Sequence, residues 1–393
     1  MEPEVCNLLR NGCTLQDLFE LYGIHSVYGR TLTNLVSLKY DQIKSQEHFD
    51  KLLVRQCRSL ILDTTDNYRV VSRSMDKFFN FGEKYAANLD PKTTKCFEKL
   101  DGSLITTYFY NGKWYPSTTG SVEASGGLPG LTFYSKSEWK PSIDSKFLPT
   151  PQTFSELFWQ LIRMKTDFFD RDASTMPVEV TNLCFNFELC SPLNIVVLPH
   201  KEASITLLSA RNRVTGNELW PNNASTILDN KVPVVKVYSF ASIKDLPPFP
   251  TDGELLSEGF VFADGDEYIS NRFKDKDPRY LLRHRMMSSN SIRSIVNTIR
   301  TGEEAEFLSY FPSRKEYFDQ IKKKYFNFIE LVRNEYDSIK HIQNQKDFAF
   351  AALKLTCPPA LFEHKKGLSF EDYFRNNCHI DRLLKYLNLE ENE

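Results

Sequence analysis

The chain has no long uninterrupted apolar run, no Cys-x-x-Cys pair, no phosphate-cradling glycine loop and almost no net charge. Each absence excludes something. Without a run approaching the ~20 apolar residues of a membrane span, no spanning helix is expected. The N-terminal stretch MEPEVCNLLRNGCTLQDLFELYG is acidic and amphipathic, without a basic start or an apolar centre, so it does not read as a secretory signal. An intracellular, cytoplasmic location is expected. The 8 cysteines are irregularly spaced and read as reduced thiols. Cys357, His364, Cys378 and His379 come near one another, but at a spacing that fits no zinc site. A net charge of −2 gives no overall pull toward nucleic acid, so any polyanion site must be a local patch. The motif GxxxxGK[ST] is missing: Gly112-Lys113 is followed by Trp114, so no kinase of the phosphate-loop type is read here. Internal repeats and low-complexity linkers are also absent.

What remains is ordinary globular material. With 41% hydrophobic and 25% charged residues over 393 positions, the chain suits about two or three domains with sizeable cores. From about 25 to 276 it is strand-rich, with RSLILD (58–63), YRVVSRS (68–74), LITTYFY (104–110), CFNFELC (184–190), ITLLSA (205–210), VPVVKVYSF (232–240) and GFVFAD (259–264). Turn residues punctuate these runs, as in NGK (111–113) and VTGN (214–217), and a helix is expected over 152–166. The pattern suits an α+β domain with antiparallel sheets. Beyond about 280 it becomes helical. Ser313 and Glu316 form a capping box ahead of apolar residues that recur from Phe318 to Ile339 at three- and four-residue steps. A further helix is expected after Ser369, through Tyr373 to Leu387. The domains are therefore drawn at 1–284 and 285–393, the second all-helical, with the final LEENE frayed.

Residues 97–103 read FEKLDGS. Asp101-Gly102 between apolar runs is a good hairpin signal, with Lys99 as a solvated neighbour. A second reading makes Lys99 a covalent nucleophile. That needs a neutral amine, and a reference pKa of about 10.4 must fall by roughly three units for half to be neutral at physiological pH. Other cations would have to converge on it, with carboxylates for a metal. The sequence offers both. Arg58 opens RSLILD, and Lys77 precedes two phenylalanines in SRSMDKFFNFGE (72–83). Lys274 and Lys276 in RFKDK (272–276) share one face of an extended segment. Glu188 lies inside the apolar run FNFEL, and Glu258 just before GFVF, where an acid is costly unless paired or liganded. Taken singly, each of these has a structural explanation.

The order KxDG, then an acid within a strand, then Glu-Gly before a strand, then KxK is that of the covalent nucleotidyltransferases. With its flanks, CRSLILD, SRSMDKFFNFGE, EKLDGSLITTY, NFELCSPLNIVV, LLSARNRVTG, SEGFVF and FKDKDPRY, the chain resembles the ATP-dependent RNA ligase 1 family of T-even phages and their viral relatives over about 25–285. The resemblance implies an ATP-grasp-like nucleotidyltransferase fold. It implies that Lys99 takes AMP from ATP as a phosphoramidate, passes it to the 5′-phosphate of one RNA end, and loses it when the 3′-hydroxyl of another attacks. By resemblance, Arg58 and Lys77 hold the β and γ phosphates and Lys274 and Lys276 meet the α-phosphate. Glu188 accepts from the ribose, Asp101 and Glu258 position Mg²⁺ (with Mn²⁺ able to substitute), and Tyr280 and Tyr40 stand near the phosphates. The same resemblance implies a monomer acting on RNA, with a nicked tRNA as one candidate substrate and an end-healing kinase or phosphatase as partner. No membrane is involved. Two positions depart from the family. Arg58 is followed by Ser59 instead of glycine, and YPSTTGS (115–121) has Ser117 and Thr119 where lysines are usual. A DNA ligase, an mRNA guanylyltransferase and an inactive RNA-binding relative remain open at this point. The first two usually carry a β-barrel after KxK, where this chain turns helical.

Overall fold

A computed structural model describes residues 2–128, 150–238, 258–281, 292–302, 304 and 315–389. It divides into two compact units, Met1–Tyr280 and Leu281–Glu393.

Three antiparallel sheets build the first unit. Strands β1 (Ile24–Tyr28), β2 (Leu35–Tyr40), β3 (Arg58–Asp63) and β4 (Arg69–Ser72) form one sheet in sequential order. Leu60 and Leu62 face one apolar cluster, beneath the helices Glu4–Arg10 and Leu15–Tyr22, while Leu35, Ile61 and Val71 face another. Burial on both faces explains the unbroken apolar run Leu60-Ile61-Leu62 within RSLILD.

Five strands make the second sheet. They are β6 (Ser103–Tyr110), β7 (Lys113–Ser117), β8 (Leu183–Cys190), β9 (Ser204–Asn212) and β10 (Glu218–Leu219), following β5 (Lys95–Lys99) in the chain and running in the order β10-β9-β8-β6-β7. Asn111 and Gly112 close β6 onto β7 with positive φ at both positions, the geometry an Asn-Gly hairpin needs. Against this sheet lies the helix Phe154–Arg163, shorter than the span expected, with Thr153 accepting from the Glu156 N–H at 3.2 Å as its cap.

In the third sheet β5 is flanked by β11 (Val237–Tyr238) and β12 (Gly259–Asp264), and β12 pairs with β13 (Asn271–Lys276). The hairpin reading of Asp101-Gly102 is thereby corrected. Lys99 ends a strand of the third sheet, Ser103 begins one of the second, and the dipeptide carries the chain between them. Gly102 is required by close approach: a Cβ there would stand 2.5 Å from the Leu189 carbonyl oxygen. VPVVKVYSF is likewise no continuous strand. It touches β9 at Val234 and then pairs with β5 at Val237 and Tyr238, strapping two sheets together. Its residues 239 and 240 lie outside the described residues.

The second unit is helical around its own core, which includes Phe318, Tyr325, Phe348, Phe374 and Leu383. The long helix runs Lys315–Ile339 and buries Phe318, Ile321, Tyr325, Phe328 and Val332, as the spacing required. Ser313 of the expected capping box, the expected boundary at 284–285 and residues 390–393 of the tail lie outside the described residues. Ser369 does cap a helix, accepting from the Asp372 N–H at 3.0 Å. That helix is not continuous to Leu387, however. It widens over Tyr373–Asn377, breaks at Cys378, whose backbone is extended and whose side chain is buried, and restarts at Ile380.

Ser59 is the extra residue of a β-bulge, because Leu38 pairs with Leu60 while Lys39 pairs with Arg58. Its φ is +64°, in the left-handed region that favours glycine, and its hydroxyl donates to the Thr118 carbonyl at 2.8 Å. Ser59→Val is expected to destabilise the fold by about 2–4 kcal/mol, since a β-branched residue resists this conformation and the bond is lost. Ser59→Gly exchanges the bond for relief of strain and should stay within about 1 kcal/mol. Urea unfolding of the two variants checks this ordering.

Candidate active site

Strand β12 lies between β5 and β13, and in register Gly259 faces Lys99 on one side and Lys276 on the other. A Cβ at Gly259 would fall 2.2 Å from the Asp275 carbonyl oxygen and 2.8 Å from the Lys276 Cα, and its φ of +138° suits glycine. The strands can therefore close tightly only here. Glu258, one residue earlier, donates its N–H to the Lys99 carbonyl at 3.2 Å and accepts from the Asp277 N–H at 3.1 Å. Its carboxylate is then gripped from both sides. Lys99 Nζ lies 2.6 Å from Oε2 and Lys276 Nζ 2.7 Å from Oε1. Burial alone would raise the Glu258 pKa, but the two ammonium groups hold it below the ordinary carboxylate value. The group that touches Lys99 is thus a carboxylate, and the cations gather around a different lysine.

That lysine is Lys274. Burial lowers its pKa to about 7, and Lys276, Lys99, Arg58 and Lys77 push the same way. Its neighbour in space is the Phe78 ring, which Lys274, Arg58 and Arg272 approach to 5.5, 5.3 and 5.5 Å. Backbone pairing fixes this arrangement: Lys274 donates its N–H to the Phe79 carbonyl and accepts from the Phe81 N–H at 2.8 Å, so the segment bearing Lys77 and Phe78 runs along β13. Arg58 Nη1 is buried without a hydrogen-bond partner. Lys77 packs its ammonium against Phe49 at 4.3 Å and Tyr40 at 4.7 Å, and burial, followed by Arg58, lowers its pKa. Among the described residues none of Arg58, Lys77 and Lys274 has a carboxylate within ion-pair distance.

Lys99, Arg58 and Glu188 open onto a pocket of about 640 Å³, mouth included, whose other walls are largely apolar: Phe78, Phe97, Leu104, Val235 and Val261 among them. Volume and lining suit a flat aromatic ligand. Glu188 faces into it from β8, and burial raises its pKa to about 7 against the pull of Lys99. It has no ion-pair partner among the described residues.

Asp101 takes a different place from the one expected. Its side chain is 2% exposed. Oδ2 accepts from the Val197 and Leu198 N–H groups at 2.8 and 2.6 Å, and Oδ1 accepts from the Tyr280 hydroxyl at 2.7 Å. The His200 Nε2–H donates to its backbone carbonyl at 2.5 Å. A carboxylate engaged by three internal donors anchors the crossover beside Lys99. Glu258, with Glu188 near it, is a second candidate donor set for a divalent ion, and Glu258 too must release a lysine to take one. Tyr280 is buried, donates to Asp101 and has its ring 5.2 Å from the Lys276 ammonium, while Tyr40 adjoins both Lys77 and Arg58.

Sequence reasoning missed several members. Arg272 is two residues before Lys274 and on the same face, so alternation could have found it. Glu218 holds it at 2.8 Å and itself accepts from Ser209 at 2.5 Å. Phe78 and His200 carried no signal that a single sequence distinguishes from core packing.

Comparison with known proteins places these residues in context. The profile of the RNA ligase family matches residues 56–280, more than half of the chain. A protein of Autographa californica nuclear polyhedrosis virus, named as a bifunctional polynucleotide kinase/RNA ligase, is 29% identical over 324 residues, which are 79% of this chain and 42% of that protein. The chain thus spans less than half the length of that relative. An RNA ligase of Rhodothermus phage RM378 is 25% identical over 350 residues, 76% of this chain and 75% of that one. Among solved structures, an archaeal ATP-dependent RNA ligase aligns over 98% of this chain and 81% of its own, at 12% identity and a TM-score of 0.42.

Two outcomes follow from the geometry. Gly259→Ala is expected to part β12 from β13 and break the Lys276–Glu258 pair, with a fall in melting temperature that Lys276→Met alone does not produce. Burying Lys274 charged costs stability. Its folded pKa is below its unfolded value, so the unfolded state binds more protons between pH 7 and 10.5 and stability rises across that window. Lys274→Met should therefore stabilise the protein most at or below pH 7, and the advantage should shrink toward pH 10.5 in melts read across that range.

Proposed function

Because the chain belongs to the RNA ligase family, we propose that it is an ATP-dependent RNA ligase that works through AMP bound covalently to Lys99. The observation that carries this reading is the placement of Lys99. Its amine stands at the mouth of an apolar pocket, bonded to Glu258, with three cations close by that lack acidic partners. An apolar slot for a base, a nucleophile at its edge and a cluster of positive charge beyond suit a nucleoside triphosphate.

In the first step Lys99 Nζ attacks the α-phosphorus, the bond to the pyrophosphate oxygen breaks, and the amine sheds its proton. Attack needs the neutral amine, so the pair with Glu258 must open, and Oε2 at 2.6 Å is placed to accept that proton. Arg58 and Lys77 neutralise the departing pyrophosphate. Lys274 and Lys276 meet the α-phosphate, where charge develops, and Glu188 accepts from the ribose. A divalent cation, Mg²⁺ or Mn²⁺, would be held by Glu258 and Glu188 and would neutralise phosphate charge. AMP then passes to an RNA 5′-phosphate and is displaced by a 3′-hydroxyl, which closes the phosphodiester. A nicked tRNA is a suitable substrate, with a kinase or phosphatase preparing its ends.

The helical unit is read as the part that chooses RNA. Its basic runs are less available than their sequence suggests. Lys322 pairs with Glu304 and Lys366 with Glu363, and Lys365 lies 3.7 Å over the Phe348 ring. Lys323 and Lys324 are the better candidates for RNA phosphates.

Incubation with radiolabelled ATP and, separately, GTP, followed by denaturing electrophoresis, tests the proposal. ATP is expected to label the chain, Lys99→Ala to abolish the band, and Lys99→Arg to abolish it with the melting temperature kept. Labelling that survives in either variant removes Lys99 as nucleophile, and labelling by GTP alone replaces the ligase by a guanylyltransferase. Alanine at Arg58 or Lys77 should slow labelling at least tenfold more than it slows sealing of pre-adenylylated RNA, since pyrophosphate has already left that substrate.

A further inference from the structure

Phe78 also forms a wall of a second, more polar pocket of about 850 Å³, mouth included. Its charged lining is Arg55, Asp76, Lys77, Arg211, Glu218 and Arg272. Both acids are already matched. Arg211 grips Asp76 with two nitrogens at 2.8 and 3.1 Å, and Arg272 holds Glu218 at 2.8 Å. Arg55 and Lys77 are left over, and neither has an ion-pair partner among the described residues. The backbone sets them side by side, for the Lys77 N–H donates to the Arg55 carbonyl at 2.8 Å. Three rings surround the Lys77 ammonium, Phe49, Tyr40 and Phe79, the last at 5.1 Å. Rings stabilise a cation without cancelling its charge, so it stays available to an anion. Arg55 is placed by the last turn of the helix Leu52–Gln56, and its Nε is buried with no hydrogen-bond partner. That nitrogen is closed to solvent, so a ligand in the pocket would be met by the terminal nitrogens of the half-buried guanidinium, which has no acidic partner among the described residues.

We propose that this second pocket is a phosphate site, in which Arg55 donates to phosphate oxygens and Lys77 supplies the second charge. Two unmatched cations suit a dianion, and the fork of a guanidinium suits a phosphate. The polar lining does not suit a base or an apolar side chain. The inference deepens the assignment of Lys77 and rests on it for the identity of the ligand, while Arg55 stands outside every motif noted above. One chemistry has two sources here: the distal phosphates of the nucleotide whose base fills the apolar pocket across Phe78, or a phosphate of an RNA end.

Inorganic pyrophosphate titrated into the full chain by calorimetry is the first measurement. Arg55→Gln is expected to weaken its binding about tenfold, the loss of a charge-assisted bond. Arg55→Lys, which keeps the charge but not the fork, should recover part of it. If Arg55→Gln lowers the melting temperature, Arg55→Lys decides alone, by weaker binding at an unchanged melting temperature. The source is read from the two chemical steps. A roughly tenfold rise in the ATP concentration for half-maximal labelling of Lys99, with sealing of pre-adenylylated RNA unchanged, assigns the site to the nucleotide. The reverse pattern assigns it to RNA. Pyrophosphate binding and both steps unchanged in these variants overturn the site, and leave Lys99 as nucleophile if labelling is normal. Arg55-dependent pyrophosphate binding in a protein whose Lys99 is never labelled upholds the site and overturns the ligase reading instead.

Discussion

The carboxylate of Glu258, shared between Lys99 and Lys276, is the contact on which the arrangement of the site depends. It joins the outer strands of a three-strand group through the middle one, and it can do so because Gly259 lets the backbones approach where a Cβ would collide with Asp275 and Lys276. The pair costs desolvation of three charges, and such triads are weak contributors to net stability. Their value is positional. With both oxygens engaged, Glu258 cannot rotate without losing a lysine, so Lys99 and Lys276 are fixed relative to each other before any ligand arrives.

The other cations follow the opposite rule. Arg211 and Arg272 are matched by Asp76 and Glu218, which ties them into a network that lines the second pocket. Among the described residues Arg58, Lys77 and Lys274 are left without acids, and burial with like charge lowers Lys274 to about 7 and pushes Arg58 and Lys77 the same way. A fold gains nothing by itself from such a cluster. A bound polyanion would compensate for it, because stabilisation by a ligand that binds only the native state grows with its concentration. The protein is thus expected to be strained when empty and relaxed when loaded, as preorganised electrostatic sites are.

Much of this was legible in the sequence, and the reasons are specific. GFVFAD spans β12 without error because it is buried on both faces, begins at Gly259 and is followed by Gly265. Lys274 and Lys276 were placed on one face by alternation alone. What failed was of two kinds. Asp101-Gly102 carries the local chemistry of a hairpin, but its flanking strands belong to different sheets, and no local signal reports which partner a strand will choose. The motif that names Asp101 and Tyr280 does not show what holds them: Asp101 accepts from the backbone N–H groups of Val197 and Leu198, in a segment almost a hundred residues away, and from the Tyr280 hydroxyl. Hydrogen bonds to backbone leave no trace in side-chain identity. Arg55 was missed for the same reason in reverse: nothing near it in sequence shows that its Nε will be buried without an acceptor.

The two departures from the family pattern, which look independent along the chain, meet in space. Ser59 replaces a glycine at a bulge where φ is positive, and its hydroxyl donates to the carbonyl of Thr118, in the stretch where lysines are usual. A glycine at 59 could not make that bond. Ser117 is wholly buried and donates to the Thr106 carbonyl at 3.0 Å across the hairpin. A lysine could not take up that buried, short-range position, so the local structure here is built around small hydroxyl side chains. The bulge also bears on function, since an extra residue at 59 takes Arg58 out of the apolar alternation of β3 and turns it toward the pocket. The serine therefore serves two constraints together. It holds the conformation that aims Arg58, and it ties that conformation to the β7 end of the neighbouring sheet. Positive charge lost from 117 and 119 has to be supplied by other elements. The cations without acidic partners among the described residues stand elsewhere: Arg58 on β3, Lys274 on β13, Arg55 in the helix Leu52–Gln56 and Lys77 hydrogen-bonded to it.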